Sequence, residues 1–488
     1  MARLSRQVRE NARQTNLGWQ CGTLIVALTA LGLGTALYYQ NNGADITLAP
    51  LPQNQHIQAY FNYSQASHYQ EPYRKQHRPG DNLEQIILDH INQANISIDL
   101  AIQELNLPQV AQALLAKHQE GLKVRVIVEH DYRQPWSALT QSEIGALKER
   151  DRHKYDEFLQ LADLNNDGTI QAHEALQRDA MRILELGQVP LIDDTADGSK
   201  GSGLMHHKFM VVDNQVVITG SANFTTSGIH GDVLNPKSLG NANHLIVIDH
   251  DAIVQLLTDE FQLMWGDGPG RKLDSLFGLQ KPYRPPQTIS ISADSSVTVQ
   301  FSPVSADRHP WQNSTNGLIN RTIQSAEESI DLALFVFSEQ PLSQTLQERH
   351  KQNVAIRALI DSGFIYRNYS EALDMMGVAR LDKRCQVDTA NAPWVPGITT
   401  VGTPQLAEGD KLHHKFAIID QTKIVTGSQN WSKNANHKND EAVIILNNKK
   451  VAAHFSREFE QLYGHANFGV PRWLQLDIQS HKTRCSKS

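Results

Sequence analysis

The sequence predicts an α/β protein of two homologous lobes, each a β-sheet flanked by helices, related by a pseudo-two-fold axis. Three observations predict it. The pentapeptide "SIDLA" occurs at Ser97–Ala101 and again at Ser329–Ala333. Each copy follows a helix-like stretch ("LEQIILDHINQA", "GLINRTIQSAEE") and precedes a second one with an apolar strand behind it, "VRVIVE" from Val124 and "VAIRALID" from Val354. Finally, "MHHKFMVVDNQVVITGSANF" at Met205–Phe224 returns nearly unchanged as "LHHKFAIIDQTKIVTGSQNW" at Leu412–Trp431. Self-similarity on this scale marks repeated structural units, and strands alternating with helices mark layered sheets.

A chain of 488 residues, 40% hydrophobic and 20% charged, is long enough for two or three domains with a sizeable core. Its formal net charge of −7 excludes a protein that holds nucleic acid by bulk charge, while a local basic cleft stays open.

The elements follow in order. Arg3, Arg6, Arg9 and Arg13 precede "LGWQCGTLIVALTALGLGTALYY", the uncharged run Leu17–Tyr39. That run can span a bilayer, for which about 20 residues are needed. Arginines before it and Asp45 after it put residues 1–16 in the cytoplasm and the body outside, periplasmic or extracellular. A cleaved signal peptide is the rival reading, but no A-x-A site follows, so 17–39 is expected to be an uncleaved transmembrane anchor. Residues 40–55 read as a polar linker. The first lobe, 56–267, opens with "IQAYF" from Ile57 and closes with a helix ending "EFQLMWG", Glu260–Gly266. Residues 268–295, with "LQKPYRPPQTIS", read as a Pro-rich connection. The second lobe, 296–466, opens with "VTVQF" and closes with "EFEQLYG", Glu458–Gly464; residues 467–488 read as a tail. The cysteines are Cys21, Cys385 and Cys485, without a zinc-binding spacing. Cys385 and Cys485 can pair in an oxidising compartment, but two unpaired thiols is the preferred reading.

The first half carries about 25 residues that the second lacks, within an insertion at about 140–182. There "DLNNDGTIQAHE" matches the calcium loop D-x-[DN]-x-[DN]-G-x5-E. Asp163, Asn165, Asp167 and Glu174 supply oxygen side chains at positions 1, 3, 5 and 12, Thr169 its carbonyl, and Gln171 a direct or water-mediated ligand. Gly168 stands where the sharp turn falls. The competing reading is an Asx-rich turn that binds nothing; a full set of ligand positions favours Ca2+, in a structural or regulatory role.

Both long strings read H-x-K-x4-D followed by G-S-x-N: His206, Lys208, Asp213, Gly220, Ser221, Asn223, and His413, Lys415, Asp420, Gly427, Ser428, Asn430. On a strand, residues two apart share a face, so each His–Lys pair projects together while His207 and His414 point behind the site as packing residues. The intervening turns return Ser221/Asn223 and Ser428/Asn430 beside the histidines as phosphate-binding groups. Two imidazoles, two ammonium groups and two amides around one point suit a tetrahedral phosphate. One imidazole attacks phosphorus; the other protonates the leaving oxygen and then activates water, a route that requires no metal.

These motifs resemble those of the phospholipase D superfamily, over both halves from about Ile57 to Gly464. The resemblance implies two phospholipase D-like lobes with the active site between them and a phosphohistidine on His206, with His413 as acid/base. It implies phosphate contacts from Lys208, Lys415, Asn223 and Asn430, and places Asp213 and Asp420 as supports. Glu441 in "NDEAVII" fits the acidic residue that orients a catalytic imidazole; the first half has Asn243 there. The leading expectation is a membrane-anchored phosphodiesterase acting on phospholipid head groups, turning a phosphatidylcholine-like lipid into phosphatidate. The alternatives are a Nuc-like endonuclease acting on DNA or RNA, and a cardiolipin synthase-like phosphatidyl transferase. A non-enzymatic calcium-binding scaffold is disfavoured, because a relic would have lost one of the two motifs.

Overall fold

The "SIDLA" segments become central strands because nearly every residue in them is buried, the signature of a strand covered on both faces. The computed structural model describes residues 48–195, 201–270, 272–379, 385 and 391–485. The first sheet contains β1 (Ile57–Phe61), β2 (Ser97–Ile102), β3 (Lys123–Val128), β4 (Leu191–Asp193), β5 (Lys208–Val212), β6 (Val216–Gly220) and β7 (His244–Asp249), ordered β1-β7-β6-β5-β2-β3-β4. The second contains β8 (Gln287–Ser292), β9 (Ser295–Ser302), β10 (Ser329–Leu334), β11 (Ala355–Ile360), β12 (Val401–Thr403), β13 (Lys415–Ile419), β14 (Lys423–Gly427), β15 (Glu441–Asn447) and β16 (Asn467–Phe468). Its order is β8-β9-β15-β14-β13-β10-β11-β12-β16, the first sheet's pattern with a strand added at each edge. Lys208 lies opposite Ile102 and Lys415 opposite Leu334, the same rung of both ladders.

The recurrence of Asp in "SIDLA" has a physical cause. Asp99 on β2 accepts two bonds from Arg125 on the adjacent parallel β3, at 2.7 and 2.6 Å. Asp331 and Arg357 repeat this at 2.7 and 2.8 Å. Each guanidinium then lies over two rings of its lobe's closing helix: Phe261 and Trp265 of Asp251–Trp265, or Phe459 and Tyr463 of Lys449–Gly464. An ion pair thus fixes strand register and a cation–π stack docks the helix.

One apolar core is shared by both sheets and both closing helices, including Phe61, Phe209, Phe261, Phe416, Phe455 and Phe459. Each lobe also has an outer core under its flanking helices. Between the lobes, the His206 N–H donates to the Asp440 carbonyl and the His413 N–H to the Ala242 carbonyl, both at 3.0 Å. Equivalent backbone segments therefore cross at the seam in both directions.

Several expectations are revised. The preferred reading of unpaired thiols fails: Cys385 and Cys485 form a disulfide, with Cα atoms 5.4 Å apart. Residues 467–485 are built into the second lobe, with β16 pairing β12 and a helix Arg472–Cys485 behind it. Part of the connection at 268–295 is β8 of the second sheet. The expected single-pass membrane location is overturned for the described residues: none of their helices is long and apolar enough to cross a membrane. The helix Lys449–Gly464 has 16 residues and buries only one face, short of the roughly 20 apolar residues a span needs. The run Leu17–Tyr39 and the segment 1–16 lie outside the described residues.

Candidate active site

Each H-x-K string enters its sheet at the lysine, which starts β5 or β13. The pleat sends His206 and Lys208 to one side and His207 to the other, with His413, Lys415 and His414 matching. The His206 Nδ1 lies 2.8 Å from Glu441 Oε2, and the His413 Nδ1 lies 2.9 Å from Asn243 Oδ1. Each imidazole is therefore oriented by the other lobe. A carboxylate or amide oxygen can only accept, so Nδ1–H donates and Nε2 keeps the lone pair. Asn243 is held oxygen-outward because its amide N–H donates to the Gly228 carbonyl at 2.8 Å. Glu441, fully buried, also accepts from the Asn439 amide at 3.1 Å.

Lys208 Nζ donates to the His206 carbonyl at 3.0 Å and to Gln103 Oε1 at 3.2 Å. Lys415 Nζ donates to the His413 carbonyl at 2.7 Å and sits over the Phe335 ring. Burial pushes the His206 imidazole down to about 4; Glu441 opposes this, while Lys208 and Lys415 add to it. Burial, then Lys415, Lys208 and His206, hold His413 well below its ordinary value. Burial lowers Lys208 to about 7 against the pull of Glu441, Glu104 and Glu129. Burial and Lys208 hold Lys415 well below its usual range. The four groups share one electrostatic field: two neutral imidazoles with lone pairs on Nε2, flanked by two buried amines. Such an arrangement favours an anion.

The remaining expected residues divide. Asp213 and Asp420 sit at hairpin turns with positive φ at both central residues (Asp213 and Asn214, Asp420 and Gln421), the geometry of a type I′ turn. Asp213 accepts the N–H groups of Asn95, Ile96 and Ser97, and Asp420 those of Glu327, Glu328 and Ser329. They anchor the entrance to β2 and β10 away from the imidazoles. The hydroxyls of Ser221 and Ser428, expected as phosphate contacts, bond neighbouring strands. The Ser221 hydroxyl donates to Asn243 Oδ1 at 2.8 Å, and the Ser428 hydroxyl accepts from the Ala442 N–H at 3.1 Å. The Asn223 amide N–H donates to Gln103 Oε1 at 3.3 Å. The buried Oδ1 atoms of Asn223 and Asn430 have no hydrogen-bond partner among the described residues. His207 and His414 pair behind the site with the buried Glu260 (2.8 Å) and Glu458 (3.1 Å) of the closing helices.

Sequence reasoning missed Gln103, Phe335, Glu129 and Asp361. The last two accept the backbone N–H groups of Met205 and Leu412, one residue before each histidine. Aligning the ends of "VRVIVE" and "VAIRALID" would have exposed this repeated acidic position.

In the insertion, the helices Glu149–Ala162 and Ala172–Arg178 flank the segment 163–171. Gly168 has φ +82°, and its N–H and that of Asp167 donate to Asp163. Thr169 and Gln171 side chains donate to Asp167 at 2.7 and 2.9 Å, holding its carboxyl at about 2. Donor types and order fit Ca2+. However, Glu174 caps the loop's own N–H groups at Leu164, Asn165 and Gln171, and Asp163, Asp167 and Glu174 do not gather oxygens within 4.8 Å of one another.

The family described as "Cardiolipin synthase, PLD-like domain" matches residues 87–265 and 319–463. The chain is 29% identical over 158 residues to mitochondrial cardiolipin hydrolase of Homo sapiens, covering 32% of this chain and 54% of that one. It is 29% identical over 134 residues to phospholipase D of Rickettsia prowazekii (strain Madrid E), covering 28% and 55%. The chain thus spans about half the length of the curated relatives it matches. Phosphatidylserine synthase of Haemophilus influenzae Rd KW20 has a similar fold, with a TM-score of 0.50 at 11% identity over 88% of this chain and 90% of that one.

Proposed function

The chain belongs to the PLD-like domain family, and we propose that it is a phospholipase D-type phosphodiesterase that hydrolyses a phospholipid head-group ester through a phosphohistidine on His206. The observation that carries this reading is the crossed pairing of the imidazoles, His206 with Glu441 and His413 with Asn243. Phosphorylated Nε2 with a proton on Nδ1 is a cation. A carboxylate stabilises that cation far better than an amide does, which supports His206 as the attacking group.

The lone pair of His206 Nε2 forms the bond to phosphorus as the bond to the head-group oxygen breaks, and His413, having taken a proton on Nε2 from solvent as the substrate anion binds, gives that proton to the leaving oxygen. His413 then takes a proton from water, whose oxygen attacks phosphorus. The P–N bond breaks, its electron pair returns to His206, and phosphatidate leaves. Lys208 and Lys415 offset the non-bridging charge, with Asn223 and Asn430 at its edge. The phosphodiester anion counters the lysine field that depresses His413, so substrate binding raises that imidazole's proton affinity.

The names of the curated relatives support a phospholipid substrate. For the insertion, we propose that Asp163, Asn165, Asp167, the Thr169 carbonyl, Gln171 and Glu174 hold Ca2+, with Glu174 giving up its capping bonds. The ion would stiffen the loop and enter no chemical step.

The test measures, for the full chain and His206→Ala, release of head group from phosphatidylcholine and cardiolipin vesicles beside nicking of supercoiled plasmid. Release by the wild type and its loss in the variant is the expected result. Plasmid nicking without lipid cleavage would overturn the lipid reading in favour of a nuclease. Phosphatidyl transfer to an added alcohol without hydrolysis would make it a transferase.

A further inference from the structure

We infer that His153, Glu157 and Asp232 form a binding site for a divalent transition cation, Zn2+ by donor preference, that clamps the insertion onto the first lobe. His153 and Glu157 stand four apart on the helix Glu149–Ala162 and therefore share a face. Asp232 comes from the first lobe, shortly after the turn of helix Thr226–Ile229. His153 Nε2 lies 2.9 Å from Asp232 Oδ2, and one ligand atom from each of the three residues falls within 4.8 Å of the others.

A second, independent observation points to a ligand. Glu157 is only 8% exposed; its Oε1 meets no N–H or hydroxyl donor among the described residues, and its carboxyl faces that of Asp232. Two buried carboxyls in contact can bond only through a shared proton, and with both ionised their repulsion is costly. The adjacent ammonium, Lys154, is held by Glu104 at 2.7 Å. Asp232 is oriented by the Leu234 N–H on its other oxygen, at 2.8 Å. A divalent cation would replace that proton and offset both charges. One imidazole nitrogen with two carboxylate oxygens matches three-residue zinc sites completed by water, whereas Ca2+ and Mg2+ prefer oxygen-only sets. The His153 side chain is 55% exposed, which leaves an entry path and room for that water.

The site has a consequence for the cleft. The same helix lines a cavity of about 350 Å³ through Arg150, Lys154 and Phe158, facing Glu104, Trp136 and Met181. Glu104 adjoins Gln103, which touches Lys208. A bound cation would therefore hold one wall of the space beside the candidate active site.

The experiment uses the full chain, stripped of metal and returned to saturating Ca2+, then titrated with ZnCl2 by calorimetry. We expect high-affinity uptake that weakens at least tenfold in His153→Ala and in Glu157→Gln. Asp167→Asn, which impairs the loop at 163–174, should leave it unchanged. Co2+ substitution should give visible d–d absorption in the wild type and lose it in His153→Ala, an exposed position whose variant folds. Wild-type affinity retained in His153→Ala, loss of Zn2+ uptake in Asp167→Asn, or uptake weaker than about 100 μM in the wild type would each overturn the inference.

Discussion

At the residue scale the site is asymmetric where the motifs are identical. Both imidazoles lose their proton affinity to burial, but only His206 has a carboxylate on Nδ1. Glu441→Gln keeps the shape and removes the charge proposed to stabilise a phosphorylated His206. It should lower kcat about 10²- to 10⁴-fold with KM nearly unchanged, read by steady-state kinetics on a soluble phosphodiester. The pH dependence follows from two groups. His206, pushed down to about 4, is protonated and non-nucleophilic only below that pH. Lys208, lowered to about 7, is charged below that value and loses its phosphate-holding charge as pH rises through it. These two groups should therefore make free-enzyme kcat/KM fall below pH about 4 and again as pH rises through about 7. Lys208→Arg should remove the share of Lys208 in the alkaline limb because guanidinium stays protonated, leaving the shares of His413 and Lys415, which burial also holds low.

At the element scale, the glycine of each G-S-x-N string has a packing reason. Gly220 has φ +152° and Gly427 φ +122°; a Cβ at Gly427 would lie 2.2 Å from the Ala442 carbonyl oxygen. The strand β14 can approach β15 only without a side chain there, and β15 begins with Glu441. Gly427→Ala should displace Glu441 from His206, lowering kcat more than substrate binding. Equilibrium binding of a non-hydrolysable phosphodiester beside turnover would show the split. Strands, turns and closing helices were all legible, because alternation, D-N and D-Q turns and apolar helical faces are local signals. The ties made by Ser221 and Ser428 were not, because whether a hydroxyl meets phosphate or a neighbouring strand depends on partners many residues away. The helix Arg472–Cys485 was also missed, since its last residue is tied by a disulfide to Cys385, 100 residues earlier.

At the scale of the whole molecule, the lobes close over buried histidines that the chemistry does not use. His244 and His414 face each other Nδ1 to Nδ1 at 3.0 Å, enclosed by Phe61, Phe416 and Phe455, with Thr426 on the far nitrogen of His244. One ring must donate and the other accept, so a proton added to the pair opposes two N–H groups. Burial, with Lys415, lowers His244 to about 3. Its folded affinity lies below the unfolded value of 6.5, so between these values the unfolded chain holds more protons and stability falls with pH. From pH 6.5 to about 4.5 this one group should remove roughly 2 kcal/mol, measured by denaturant unfolding. His244→Gln should show a shallower slope.

The sequence by itself determined the doubled lobes, their strands and hairpins, and the two His–Lys pairs, because each rests on periodicity and spacing within a few dozen residues. The tertiary structure alone decided which acceptor serves which imidazole. Glu441 stands 235 positions from His206, and Asn243 stands 170 from His413. Such pairings arise only when two folded sheets are pressed together, and at the seam between homologous halves each partner comes from the other half, where no local pattern records it.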